Sequence, residues 1–296
     1  MNKPKLYIMV GLSGAGKSTI AKEIAETEEN TIIVSSDAIR EELTGKVEDQ
    51  SKNEEVFKVF HKRIREALEN NTNVIADATN ITMRSRRAII ENVKGIECRK
   101  IAYLIPRPFD QCKLDNLNRQ HPVPEEVLDG QLRKFQIPFY EEGWDLIKRR
   151  DFLRDGEITI PDISLKMENF DQKNPHHTMS LLEHSDYTYK LFADKEYPMS
   201  FQLGAVLHDV GKLYCQTFDE FGTAHYIDHD SIGSYLVLTS LDGFYHYDIL
   251  DACFLINYHM MPFNWTTEKS KERWKKRFGE YKYQMLLDFN ECDKAR

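Results

Sequence analysis

The octapeptide Gly11-Leu-Ser-Gly-Ala-Gly-Lys-Ser18 constrains this chain more than any other feature. It matches the GxxxxGK[ST] pattern, follows the apolar run Leu6–Val10, and opens a helical stretch near Lys17. That order is what a phosphate cradle requires. Glycines let backbone N–H groups turn inward, and the helix N-terminus adds partial positive charge. Gly11, Ser13, Gly14, Ala15, Gly16, Lys17, Ser18 and Thr19 are the expected ATP- and phosphate-binding residues. Lys17 is expected to act on the β- and γ-phosphates, and the Ser18 hydroxyl on the Mg²⁺ that accompanies ATP.

Around this loop the first half alternates strand-like runs with helical patterns. Leu6–Val10, Ile32–Ser35, Val74–Ala78 and Arg99–Ile105 read as strands, and Ser18–Thr27, Glu54–Glu69 and Arg84–Val93 as helices. Phe57, Phe60, Ile64, Ala67 and Leu68 recur at helical spacing. Such alternation implies a parallel sheet covered on both faces, an α/β fold. Ser36-Asp37-Ala-Ile-Arg40 follows the second strand and Asp77-Ala-Thr-Asn80 closes the third, so both belong at the loop's edge of the sheet. A carboxylate at Asp37 can accept the proton of an attacking hydroxyl, and Arg40 can hold an acceptor phosphate. Arg84, Arg86 and Arg87 form a second basic cluster, readable equally as a charged helix face.

Composition sets the outer limits. A chain of 296 residues suggests two domains, and 41% apolar with 30% charged residues excludes disorder. No run approaches the ~18 apolar residues of a membrane helix, and Met1–Val10 is too short and charged for a secretory signal. Five cysteines without paired spacing speak against a disulfide scaffold and for reduced thiols, hence a cytoplasmic location and no membrane partner. Residues 1–160 carry 26 basic against 27 acidic groups, and residues 161–296 carry 14 against 21. Any nucleic acid must therefore be gripped locally rather than coated. Tyr140, Trp144, Trp265 and Trp274 are candidate base-stacking platforms, with core packing the more ordinary use. Self-association is left open.

The second half is different: from His177 onward helical periodicity prevails, after a boundary at Arg149–Pro175 with one strand-like stretch, Glu157–Ile160. Here polar ligand types sit on otherwise apolar faces: His184 with Leu181 and Leu191, His208-Asp209 at the end of Phe201–Leu207, His229 with Ile232 and Leu236, His259 after Leu255 and Ile256, Asp293 after Leu286 and Phe289. Buried groups of this kind need a common partner, and imidazoles with carboxylates suit a first-row transition metal of the Mn, Co, Ni, Fe or Zn class.

The first set of motifs, Gly11–Thr19, Asp37/Arg40, Asp77/Asn80 and Arg119 ahead of Val123–Pro124, resembles the polynucleotide 5′-hydroxyl kinase family of nucleic-acid repair, over about residues 5–150. The resemblance implies Asp37 as general base, Arg119 as a lid arginine on the transferring phosphate, and Arg40 against the phosphate next to the 5′-hydroxyl. Asp77, Asn80 and Arg84 join Arg40 as the expected acceptor-binding residues. This chain departs from the family's Asp-Thr-Asn by the inserted Ala78, a form also found in P-loop kinases with small-molecule acceptors. The order His184…His208-Asp209…Asp293 resembles the HD phosphohydrolase superfamily over about residues 175–296. That implies an all-helical domain in which those four bind one metal. Asp209 bridges to a second metal held by His229 and His259, and Lys212 meets a phosphate. His225 competes with His229, Asp288 is a lower-ranked substitute for Asp293, and His176 and His177 lie near the first position.

The expected organisation is an α/β P-loop kinase domain over 1–155, a linker over 156–175 and an all-α HD domain over 176–296. The expected function is end healing of nucleic acid, RNA above DNA: ATP-dependent phosphorylation of 5′-hydroxyl ends, and metal-dependent removal of a 2′,3′-cyclic or terminal phosphate. A ligase is then the expected functional partner. Two alternatives stand beside it: a small-molecule or nucleotide kinase fused to an HD nucleotidase, and an ATP-binding regulatory module with a sensing HD domain.

Overall fold

The computed structural model describes residues 3–150, 160–173, 179–240 and 246–295. The chain divides into two compact units, Met1–Gln131 with Pro138–Phe152, and Leu132–Ile137 with Leu153–Arg296.

In the first unit the elements run β1 (Lys5–Val10), α1 (Lys17–Thr27), β2 (Thr31–Ser35), α2 (Ser36–Thr44), α3 (Asn53–Glu69), β3 (Asn73–Asp77), α4 (Met83–Asn92), β4 (Arg99–Leu104), α5 (Phe109–Leu117), α6 (Glu125–Arg133) and β5 (Leu146–Arg149). The strands pair in the order β2-β3-β1-β4-β5, every pair parallel, with Leu6 opposite Val74 on one side and Lys100 on the other. Leu6, Ile8, Met9 and Val10 of the central strand are wholly buried. An apolar run without alternation suits a strand covered on both faces. Because the strands are parallel, their C-terminal ends share one edge. Residues 11–18, 36–40 and 77–80 leave the sheet there, at the usual ligand-binding edge of such sheets.

Several elements exceed the sequence expectation, α2 and β5 among them. α2 begins directly at the end of β2, where the Ser35 hydroxyl caps the Ala38 N–H at 3.5 Å. β5 has four residues, of which only Ile147 is buried, too few to show a period. Along α3 the buried positions are Val56, Phe60, Ile64 and Leu68, whereas Phe57 and Ala67 sit half-buried on its flank.

The arginine cluster on α4 is no uniform charged face. Arg84 is exposed, but Arg86 is wholly buried and grips Glu142 with Nη2 at 2.5 Å and Nε at 2.8 Å. Its Nη1 also donates to the Asn80 carbonyl at 3.2 Å, so Arg86 braces the turn after β3.

The second unit comprises α7 (Ile160–Glu168), α8 (Leu181–Ala193), α9 (Met199–Leu207), α10 (Lys212–Cys215), a small hairpin β6 (Thr217–Phe218) and β7 (Ala224–His225), α11 (His229–Ser240), α12 (His246–Tyr258) and α13 (Glu268–Lys294). α9 packs against α8 and α12, and α11 against α12. The α9–α12 approach is close: a Cβ on Gly204 would stand 2.9 Å from the Ala252 carbonyl oxygen. α13 kinks at Gly279, whose φ of 74° lies in the left-handed region that glycine tolerates.

The expected boundaries need two corrections. Leu132–Ile137 groups with the helical unit, because Phe135 and Ile137 are wholly buried there. The Asn257 side chain accepts from the Ile137 N–H at 2.7 Å and donates to the Phe135 carbonyl at 3.1 Å. Within the expected linker 156–175, Ile160–Glu168 is helical and buries Ile163 and Met167. The strand expected at 157–160 falls mainly outside the described residues, and Ile160 opens a helix. Trp144 and Trp265 are buried and are core, not stacking platforms; Tyr140 is exposed and Trp274 half-buried. None of the five cysteines forms a disulfide, and all are buried. Among the described residues no helix is long and apolar enough to cross a membrane.

Candidate functional site

At the edge of the first unit, β1 delivers Gly11, whose N–H donates to the Thr79 carbonyl at 3.3 Å. The next turn demands glycine twice. Gly14 has φ 80°, and a Cβ there would stand 2.2 Å from the Cys112 carbonyl oxygen. Gly16 has φ 87° and caps α1 without a side-chain bond, so side chains leave the helix's first N–H groups to a ligand. Gly14→Ala is expected to destabilise the unit by about 2–4 kcal/mol through backbone strain and overpacking and to abolish nucleotide binding. Chemical denaturation and nucleotide titration check this.

Lys17 folds back so that Nζ donates to the Leu12 carbonyl at 2.8 Å. The surrounding protein atoms lower its pKa, while Asp77 works against them. Ala15 is buried, its N–H on the Leu12 carbonyl at 3.2 Å, and Thr19 is exposed in the first turn of α1. Ser13 is clasped by Gln131, whose Oε1 accepts from the Ser13 N–H at 2.8 Å and whose Nε2 donates to its hydroxyl at 3.0 Å. Sequence reasoning missed Gln131, since no motif marks a glutamine 118 residues away.

Asp77 was expected among the acceptor-binding residues. The Ser18 hydroxyl of the phosphate loop donates to its Oδ2 at 2.8 Å. Burial raises its pKa, and Lys17 and Ser18 oppose that. Asn80, also expected there, engages the backbone. It is buried with φ 45°, and its amide donates to the Met9 carbonyl at 3.0 Å and the Ala78 carbonyl at 3.3 Å, holding the two strand ends together.

Asp37 stands in the first turn of α2, half in solvent. Arg40 Nη1 reaches its Oδ1 at 2.8 Å, and Arg119 Nη2 lies 3.7 Å from its Oδ2. Arg40 is buried and its Nη2 also donates to Asn53 at 3.2 Å, a contact from α3 that the sequence did not disclose. Both Asp37 and Arg119 are near enough to influence the Lys17 amine. One edge thus gathers a phosphate cradle, a carboxylate and two guanidiniums.

In the helical unit, a capping box starts α8. Ser180 accepts from the Glu183 N–H at 3.2 Å, and Glu183 accepts from the Ser180 N–H at 2.8 Å. From that start Leu181, His184, Thr188 and Phe192 point inward. His208 ends α9, and the chain then abuts α11: a Cβ on Gly211 would stand 1.9 Å from the His229 carbonyl oxygen. Only glycine there lets Asp209 meet His229.

His184, His208 and Asp293 form one ligand set, and Asp209, His229 and His259 another; within each, the candidate ligand atoms lie within 4.8 Å of one another. Asp293 Oδ1 is 3.0 Å from His184 Nε2 and 3.4 Å from His208 Nε2. Asp209 turns Oδ2 toward His184 and His208, at 3.5 and 3.3 Å, and Oδ1 toward His229 and His259, at 3.2 and 3.9 Å. It therefore faces both sets. Lys212 does not aim at open space: its Nζ lies 2.7 Å from Asp209 Oδ2. His225 is exposed on the hairpin beside Asp219, at 3.2 Å, and Asp288 accepts from the Tyr197 hydroxyl at 2.6 Å; neither joins a set. His176 and His177 lie outside the described residues.

The donor chemistry favours a cation. His208, His229 and His259 each present Nδ1 to a backbone carbonyl, at 2.8, 2.8 and 2.7 Å. A carbonyl only accepts, so Nδ1 carries the hydrogen and a neutral ring leaves its lone pair on Nε2. Yet His229 and His259 face each other Nε2 to Nε2 at 3.2 Å, and His184 and His208 at 3.3 Å. Two lone pairs at that distance repel unless a proton or a metal ion stands between them. Burial pulls the His208 imidazole down, but Asp209 and Asp293 lift it to about 10. Burial, with the His229 and His208 charges, presses His259 down to about 3. Burial opposes the ionised forms of both carboxylates, but their surroundings hold both well below the ordinary range: the Lys212 and His208 charges at Asp209, and hydrogen bonds from His184 and His208 with the His208 charge at Asp293.

Residues 6–138 match the family described as AAA domain. Over 145 residues the chain is 32% identical to L-seryl-tRNA(Sec) kinase of Methanococcus maripaludis, covering 48% of this chain and 56% of that protein. Over 187 residues it is 24% identical to protein kti12 of Schizosaccharomyces pombe, covering 59% and 66%. The chain thus spans between about half and two thirds of the length of these curated relatives. A chain from the "Structure of the Pnkp1/Rnl/Hen1 RNA repair complex" is 25% identical with a TM-score of 0.40, covering 44% of this chain and 43% of that one. Sheet order and loop geometry are those of a P-loop fold, and the family match covers most of the unit that carries them.

Proposed function

We propose that this chain heals nucleic-acid ends, RNA above all, with two separate sites. The first unit transfers the γ-phosphoryl group of ATP, with Mg²⁺, to a 5′-hydroxyl. The helical unit is an HD-type phosphohydrolase that removes a terminal or 2′,3′-cyclic phosphate. The products, a 5′-phosphate and free 3′-terminal hydroxyls, are what a ligase consumes.

The transfer half rests on Asp37, held by Arg40 at 2.8 Å and Arg119 at 3.7 Å beside the phosphate loop. Lys17 and the loop amides bind the phosphates, Asp37 takes the proton of the attacking hydroxyl, and Arg119 meets charge on the transferring group. An RNA acceptor is supported by the similarity to a kinase whose name gives a seryl-tRNA as its substrate. The hydrolytic half rests on the two carboxylate–imidazole sets that share Asp209. His184, His208, Asp209 and Asp293 would hold one transition-metal ion, and Asp209, His229 and His259 a second. Bound metal there would acidify water and neutralise phosphate charge. Lys212 keeps Asp209 ionised.

Incubation with γ-labelled ATP and a short 5′-hydroxyl RNA tests the acceptor. Label at the RNA 5′ end is the expected result. Label appearing on a sugar or nucleoside but not on RNA contradicts it.

A further inference from the structure

Residues 161–296 are acidic overall, yet six of their fourteen Lys and Arg lie within 269–277, a stretch with one acid, Glu272. All six stand on α13 before its kink at Gly279. Lys269, Arg273, Lys276 and Arg277 fall at i, i+4, i+7 and i+8, which is one helix face. The first three are exposed and Arg277 is half-buried. Lys271 and Lys275, off that face, have acidic partners, Glu268 at 2.7 Å and Glu280 at 2.8 Å.

The stripe is ordered as well as charged. The Arg273 and Arg277 guanidiniums lie 5.4 and 4.7 Å from the centre of the Trp274 ring, which stacks on wholly buried Phe278 at 5.2 Å. Cations held on an indole lose less freedom when they bind an anion.

We infer that this face of α13 is a binding site for the phosphate backbone of a single-stranded nucleic acid. At 1.5 Å rise per residue the stripe is about 12 Å long, which suits more than one successive backbone phosphate rather than the single phosphate of a mononucleotide. A lipid surface fits less well. An interfacial helix lays its apolar face into lipid, whereas here Phe278 on that side is packed inside the unit. The inference deepens the end-healing reading and rests on it for its biological sense. The strand is gripped on the helix that also carries Asp293.

The full-length triple variant Lys269→Gln, Arg273→Gln, Lys276→Gln tests it. The control Lys166→Gln, Lys190→Gln, Lys195→Gln removes equal charge from exposed sites elsewhere in the same half. Binding of a fluorescent single-stranded RNA at ~0.1 M salt is expected to weaken about tenfold in the stripe variant, with the salt slope shallower by about 2, and to change little in the control. KM for phosphate release from an oligonucleotide should rise with kcat unchanged, while release from a cyclic mononucleotide stays as in the wild type. Equal RNA binding by both variants overturns the inference. So does loss of binding to phosphatidylserine vesicles with RNA affinity intact, which assigns the stripe to membranes. Stripe-dependent RNA binding in a protein that transfers and releases no phosphate overturns the end-healing reading and leaves this site standing. Stripe-independent binding by an active enzyme does the reverse.

Discussion

Asp209→Ala is expected to disable both metal ligand sets at once. Its two oxygens face different imidazole groups, so a single truncation removes a ligand from each. Outer-shell partners of metal ligands are typically worth about 10–100-fold in affinity, and a carboxylate facing both sets is worth more. Metal content should fall toward zero by mass spectrometry, phosphate release should vanish, and phosphoryl transfer should persist. His259→Ala touches one set only and should leave one metal equivalent. Asp209→Ala also strands the buried Lys212 ammonium, a loss of about 3–5 kcal/mol. Asp209→Ala combined with Lys212→Met removes that charge and should fold at least as well while remaining free of metal. Two tightly bound equivalents in either protein would refute the shared-carboxylate arrangement.

The second large effect belongs to the other unit. Asp37→Asn keeps an oxygen for Arg40 but cannot take a proton. A positioned general base contributes typically 10²–10⁴-fold, so kcat for transfer to a 5′-hydroxyl should fall by about that much. ATP affinity should hold, since Lys17, Ser18 and Asp77 are untouched. Rapid-quench kinetics with nucleotide titration separate the two quantities. Full transfer activity in Asp37→Asn removes this carboxylate from the base role.

These two sites differ in how far the sequence discloses them. The phosphate loop is contiguous and its left-handed turns at Gly14 and Gly16 are local, so both are legible from the motif, although the Cys112 carbonyl that also crowds Gly14 is not. The histidines are legible one helix at a time, because each interrupts an apolar face. Their division into two sets is a matter of which helices meet, and only Gly211 against His229 brings Asp209 between them. His225 and His229 are equivalent by residue type; the hairpin leaves the first in solvent beside Asp219. Arg86 reads as a surface charge because its partner, Glu142, is 56 residues away. Asp77 and Asn80 sit at the expected edge, but whether a strand-end side chain meets acceptor, nucleotide loop or neighbouring carbonyls depends on contacts that spacing does not encode. Leu132–Ile137 crosses into the helical unit through partners a hundred or more residues distant: Asn257 and Tyr258 bond its backbone, and Phe135 packs on Tyr235.

The central claim is that one chain adds phosphate at one site and removes it at another. A single RNA bearing a 5′-hydroxyl and a 2′,3′-cyclic phosphate, incubated with ATP, Mg²⁺ and Mn²⁺ and followed by intact-mass spectrometry, tests it most directly. With wild-type protein the RNA should gain a 5′-phosphate and lose its terminal phosphate to yield free hydroxyls. Lys17→Ala should yield only the second change, and Asp209→Ala only the first. Loss of both changes in either folded variant, or an RNA unchanged by the wild type at both ends, contradicts the account.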